Sequence, residues 1–248
     1  MGTVKRPEPG IHIINSHFIS PNEVNMKTDT AAYEGFLSFL NKTCRFITVE
    51  EATTRILAND IPKNEVLVAF TFDDGYAECY TIVAPLLEKF NTKGAFFINA
   101  NYISSGDDYQ KQFNDRTLTY TKLPMTWEQV KELHNRGHLI GAHTLDHVNM
   151  AELTEKELLF QLSENKRILE EKLNYNCEYF AWTYGRMQFF SEHILDVALN
   201  YHKYIFSATN YKQYFSFGGK VINRRHIEAF WPKSHIHYFL SVKKQYNK

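Results

Sequence analysis

The sequence predicts an α/β protein in which parallel strands alternate with helices and curl toward a closed or nearly closed barrel. Three observations predict it. Short apolar runs rich in β-branched and aromatic residues recur along the chain, and longer stretches with helical start signals lie between them. The length, 248 residues, suits one large domain with a continuous core. A doubly wound open sheet satisfies the same alternation.

The elements follow in order. Ile11 to Ile14 reads as a weak opening strand, and Val66 to Phe72 as the first strong one. Tyr76 to Phe90 reads as a helix, and Gly94 to Ile98 as the next strand. The polar stretch Asn101 to Lys122 breaks the rhythm and reads as a mobile surface loop. Thr126 with Gln129 and Thr154 with Glu157 match capping boxes, in which the hydroxyl accepts a free amide hydrogen and the longer side chain reaches back. After the second box, Leu158, Leu162, Leu169 and Leu173 recur at spacings of four and seven and form one apolar stripe. His138 to His143, Tyr179 to Trp182, Tyr204 to Ala208 and Val221 to Ile227 read as further strands, and Ser191 to Asn200 as a helix. Seven strands in this alternation should gather reactive groups where strands end and loops begin.

Composition narrows the function. The 28 basic residues balance the 28 acidic ones, so no broad electrostatic attraction to nucleic acid or anionic lipid is expected. Cys44, Cys79 and Cys177 lie far apart and read as small core residues. No apolar run reaches transmembrane length, so no integral membrane segment is expected. No leader is visible, which places the chain in the cytoplasm as it stands, and outside it if a leader has been removed.

Two segments carry candidate chemistry. In TFDDGY, Asp73 and Asp74 follow the apolar strand VLVAF, and Gly75 permits the chain to turn there. Two adjacent carboxylates are costly unless something positive sits beside them, and a metal ion answers that need; an Asp-Gly turn with a capping Asp is the structural reading of the same residues. In GAHTLDHVNM, His143 and His147 stand four apart just after another strand, a spacing that lets two imidazoles bind one ion, or equally serves a solvated or core pair. Both segments end strands of one alternating array, which would bring a carboxylate and two imidazoles together with coordination positions left open to water.

These motifs resemble the polysaccharide deacetylases with a NodB homology domain, carbohydrate esterase family four. TFDDGY is similar to that family's first motif and HTLDH to its second, and Val66 through Gly185, with GAFFI, MTWEQV and NRGHLIGAHT, reads like its central half. The resemblance implies a distorted (β/α)7 barrel, and a metal-dependent N-deacetylase acting on the N-acyl amide, acetyl first, of an amino sugar in a polysaccharide or lipid-linked glycan. It also implies Asp73 as base and Asp74, His143 and His147 as ligands of a divalent ion, zinc first, with cobalt, nickel, iron or manganese as alternatives. A single domain is expected, with residues 1–65 packing on the barrel as an extension and residues 66–248 forming the catalytic core.

FAWTYG resembles the FxYPYG segment of one branch, with Trp182 and Thr183 where tyrosine and proline usually stand. By that resemblance Tyr184 offers its backbone amide to the oxyanion. Trp182, Gly185 and Trp231 are the expected substrate contacts, although most of the surrounding aromatics read as core and rim. INRRHIE resembles the late arginine-bearing strand, where Arg225 is expected to orient or charge-balance Asp73, with Arg224 as the neighbour most readily confused with it. His226 is the nearest candidate acid, although alternation along the strand sets it against Arg225. His17 follows the opening strand and either lines the pocket or is structural. A deformylase or cyclic-amide hydrolase of the same fold, and a carbohydrate-binding relative without turnover, are the competing functions.

Overall fold

The computed structural model describes residues 6–117 and 122–241. In chain order the strands are β1 (Gly10–Ser16), β2 (Arg45–Phe46), β3 (Val66–Phe72), β4 (Gly94–Ile98), β5 (Leu139–Ala142), β6 (Tyr179–Ala181), β7 (Tyr204–Phe206), β8 (Phe215–Ser216), β9 (Val221–Ile222) and β10 (Arg225–His226). The α-helices are α1 (Met26–Asn41), α2 (Val49–Leu57), α3 (Ala84–Lys89), α4 (Asp107–Thr117), α5 (Trp127–Asn135), α6 (Glu155–Leu173), α7 (Glu192–Leu199) and α8 (Lys233–Phe239). No described helix is long and apolar enough to cross a membrane.

The principal strands pair in parallel in the order β10-β1-β3-β4-β5-β6-β7-β9, with β8 antiparallel on β9 and the short β2 also pairing with β3. The segment 221–226 closes the circuit. Its first half, β9, pairs with β7, and its second half, β10, pairs with β1. The result is the distorted seven-position β/α barrel that the alternation predicts. The stretch expected as an unbroken strand from Val221 to Ile227 is interrupted at Asn223 and Arg224. There the Asn223 side-chain oxygen accepts from the Ser207 and Ser216 hydroxyls, and Arg224 turns inward. The strand β1 lies inside the sheet between β10 and β3, so part of the N-terminal 65 residues builds the barrel itself.

Strand pleating divides the core in two. Ile11, Ile13, Leu67, Ala69, Ala95, Phe97, Leu139, Ala181, Phe206 and Ile222 take alternate positions on successive strands and form one buried cluster, joined by Val49, Ala52 and Ile56 of α2. The intervening residues, Val68, Phe70, Phe72, Phe96, Ile98, Ile140 and Phe180 among them, pack under the surrounding helices with the Leu158–Leu173 stripe of α6. Both expected capping boxes form, at Thr126 and Thr154. The helix expected from Tyr76 contains one π-type turn, Cys79–Val83, before α3. All three cysteines are buried with free thiols.

The stretch expected as a mobile loop instead contains α4. Asp107 and Asp108 occupy its first turn, where negative charge complements the helix dipole. Phe113 anchors it against Tyr102, with ring centroids 3.8 Å apart. A helix with so few apolar positions shows no stripe in the sequence. Residues 118–121 of the same stretch lie outside the described residues.

Candidate active site

The carboxyl ends of the strands surround a cleft of about 360 Å³, lined among others by Asn15, His17, Asp73, Asp74, His143, His147, Tyr184, Gly185, His226, Glu228, Phe230 and Trp231. Asp74 and Gly75 both take positive φ, 76° and 89°, immediately after β3. This turn leaves Asp74 facing the two histidines while Asp73 faces Arg224. Thr144, His147 and Tyr184 also adopt left-handed backbone, at φ 60°, 54° and 61°. Such conformations cost energy for side-chain-bearing residues, and they concentrate here around one cleft.

Asp74, His143 and His147 bring one ligand atom each to within 4.8 Å of one another. His143 Nε2 lies 3.4 Å and His147 Nε2 3.3 Å from Asp74 Oδ1. His143 Nδ1 donates to the Ala181 carbonyl at 2.7 Å, which leaves its Nε2 lone pair aimed at the centre of the cluster. Asp74 Oδ1 is buried with no hydrogen-bond partner among the described residues. A buried carboxylate oxygen without a donor, faced by two imidazole nitrogens, fits a divalent cation. Burial pushes the His147 imidazole down to about 4, so it is neutral and available as a ligand at neutral pH.

Asp73 forms a bidentate ion pair with Arg224, at 2.7 and 2.8 Å, both side chains being buried. Burial alone would raise the Asp73 carboxyl, but the Arg224 charge and hydrogen bonds outweigh it and hold the group below the ordinary carboxylate range. This corrects the expectation for Arg225. That residue faces away from the cleft, donating to His12 Nδ1 at 2.9 Å and to the Tyr211 carbonyl at 3.3 Å. The interruption before β10 sets the phase of alternation, so Arg224 points inward and Arg225 outward.

The same phase brings His226 to the cleft. His226 Nε2 and His17 Nδ1 both bond Glu228 Oε1, at 3.0 and 2.7 Å. Burial would lower the His17 imidazole, but its hydrogen bond to Glu228 and that carboxylate's charge raise it to about 9. His17 therefore lines the pocket as a protonated group. Glu228 was not singled out from the sequence; the available signal was its place two residues beyond His226 at a strand end.

Gly185 lies in the cleft wall at φ 60°, where a Cβ would stand 2.4 Å from the Ala208 Cβ, so a side chain is excluded there. Tyr184 and Trp231 also line the cleft. Trp182 does not. It is fully buried, stacked on Phe190 with centroids 4.0 Å apart, because it sits at a position of β6's end that faces the helices. Phe230 and Phe18, unassigned from the sequence, stack with centroids 5.7 Å apart at the rim.

The polysaccharide deacetylase family profile matches residues 60–203, more than half of the chain. The chain belongs to that family. It is 30% identical over 127 residues to a peptidoglycan-N-acetylglucosamine deacetylase of Bacillus cereus, covering 51% of this chain and 39% of that one. It is 28% identical over 152 residues to the poly-beta-1,6-N-acetyl-D-glucosamine N-deacetylase of Escherichia coli K12, covering 50% and 22%. The chain thus spans well under half the length of these curated relatives. The structure of IcaB from Ammonifex degensii superposes with a TM-score of 0.73 at 21% identity, over 95% of this chain and 99% of that one, and shares the fold. Members of the family are hydrolases acting on amide bonds.

Proposed function

We propose that this chain is a metal-dependent N-deacetylase that hydrolyses the N-acetyl amide of an amino sugar within a glycan. One observation carries the reading: a three-ligand cluster, an ion-paired spare carboxylate and a carboxylate-bound imidazole all line a single cleft. The names of the Bacillus cereus and Escherichia coli relatives support an N-acetylglucosamine polymer as substrate.

Asp74, His143 and His147 would hold the cation, zinc first, which when bound polarises the acyl oxygen and acidifies water. Asp73, kept ionised by Arg224, takes the proton of the attacking water. The Tyr184 amide supports the developing oxyanion. His17 donates the proton that the departing amine needs: Glu228 engages its Nδ1, leaving Nε2 for the substrate. This assigns the acid to His17 in place of His226, whose Nε2 is itself directed at Glu228. Trp231 and Phe230 offer ring faces to the sugar.

The test is release of acetate from N-acetylglucosamine oligomers, with metal content measured on the same sample. Stoichiometric metal and acetate release support the reading; metal without acetate from any glycan overturns it in favour of a binding protein.

A further inference from the structure

We propose that His17, Glu228 and His226 form a second divalent-cation site, separate from Asp74, His143 and His147, whose occupation stops turnover. The arrest rests on the proposed role of His17 as proton donor; the site itself does not.

Register builds the cluster. Asn15 of β1 pairs with His226 of β10, so the residues two steps beyond that rung on β1 and two steps beyond on β10, His17 and Glu228, emerge side by side at the barrel mouth. His226 occupies the rung itself. One ligand atom from each of the three lies within 4.8 Å of the others. The two nitrogens converge on the same oxygen, Glu228 Oε1, at 2.7 and 3.0 Å. The two imidazole rings stand nearly perpendicular, at 84° with centroids 5.3 Å apart, so both nitrogens reach the same oxygen without the rings clashing. Glu228 is buried and fixed, its other oxygen accepting from the His17 amide at 3.2 Å.

Two imidazoles and one carboxylate form a donor set suited to zinc and its neighbours, with the remaining position open to the cleft. Metal–ligand distances of about 2.0–2.1 Å in a tetrahedron separate ligand atoms by about 3.3 Å. Each nitrogen therefore needs to part from Glu228 Oε1 by only about 0.3–0.6 Å.

Binding exchanges a proton for the cation. His17 Nδ1 gives its hydrogen to solvent and His226 carries its own on Nδ1, so one lone pair from each imidazole and one from Glu228 go to the ion. His17 is then no longer an imidazolium, and the proton remaining on Nε2 is not readily released to a leaving amine. The first cluster is wholly buried, whereas His17 and His226 are half-buried at the cleft, so this site fills after the first.

The test is equilibrium dialysis of the full chain against zinc, with acetate release measured at each zinc concentration. The wild type should bind two ions per chain, the second more weakly, and lose at least tenfold in turnover over the range in which the second binds. His226→Ala and Glu228→Gln should each retain the tight ion, which also reports correct folding, and lose the second. Asp74→Asn should lose the tight ion and retain the second. Saturation of the wild type at one ion, or a second ion unchanged in both His226→Ala and Glu228→Gln, overturns the site. A second ion that those variants abolish but that leaves turnover intact supports the site and overturns His17 as the proton donor.

Discussion

Arg224 and Asp73 stand 151 residues apart in the chain and meet through two parallel hydrogen bonds of 2.7 and 2.8 Å at the buried mouth of the barrel. Arg224 also donates to the Thr71 hydroxyl and the Ser207 carbonyl, which fixes the guanidinium plane. A fork so placed both orients the carboxylate and keeps it ionised.

Arg224→Lys should therefore reduce kcat by at least tenfold, because a point-like ammonium cannot supply two parallel donors. Arg225→Lys, altering a residue that faces away from the cleft, should leave kcat within about twofold. Steady-state rates on one glycan oligomer decide between them; a larger loss in the Arg225 variant would reassign the partner of Asp73.

Asp73→Asn keeps the shape of the side chain and removes its basicity. Turnover should fall by roughly 10²–10⁴-fold, the usual worth of a general base, while bound metal stays at the wild-type level. His143→Ala should lose metal and turnover together. Near-normal rates in Asp73→Asn would show that another group takes the proton.

The rim aromatics contribute binding more than chemistry. Phe230 is exposed and stacked on Phe18, and Trp231 packs beside His226 at 5.1 Å between ring centroids. Trp231→Ala should raise KM for a glycan oligomer about tenfold with kcat changed less than threefold, a loss on the scale of one ring face. A fall in kcat at constant KM would place Trp231 in the chemistry.

Acid should weaken the fold well above the carboxylate range. Burial pushes His12 down to about 3, and His138 and His202 down to about 4. Each is neutral in the fold, whereas the unfolded chain takes up a proton below pH ~6.5. Stability present above that pH is lost as it falls toward 4, with a slope of up to ~1.4 kcal/mol per pH unit for each histidine. His202→Gln should lower the slope near pH 5 by about one such increment in denaturant titrations. An unchanged slope would show that His202 is protonated in the fold.

Lys122 and Glu78 form a buried ion pair at 2.7 Å, and the Lys122 ammonium also donates to the Ser20 and Asn22 carbonyls while Glu78 accepts from the Ile19 amide at 2.5 Å. The pair pins the loop that follows His17. Lys122→Met leaves Glu78 buried and unpaired, and should cost about 3–5 kcal/mol in unfolding free energy. A loss below ~1 kcal/mol would show that water replaces the ammonium.

The sequence by itself determined the alternation of strands and helices, because period, capping hydroxyls and apolar runs act within a few residues of one another. It also pointed to a carboxylate and two imidazoles as candidate ligands, since TFDDGY and HTLDH follow strands whose ends open on one side of a parallel barrel, while the choice of Asp74 over Asp73 came from the family resemblance. The register of β1 on β10 joins groups 211 residues apart, so the meeting of His17 with Glu228 was decided only by the tertiary structure. The same holds for Arg224 over Arg225, which depends on a break in one strand, and for Trp182, whose neighbour Phe190 fills the helix side of the sheet. In each case the side chain's direction is set by what pairs with its backbone from far along the chain, and no local pattern encodes that.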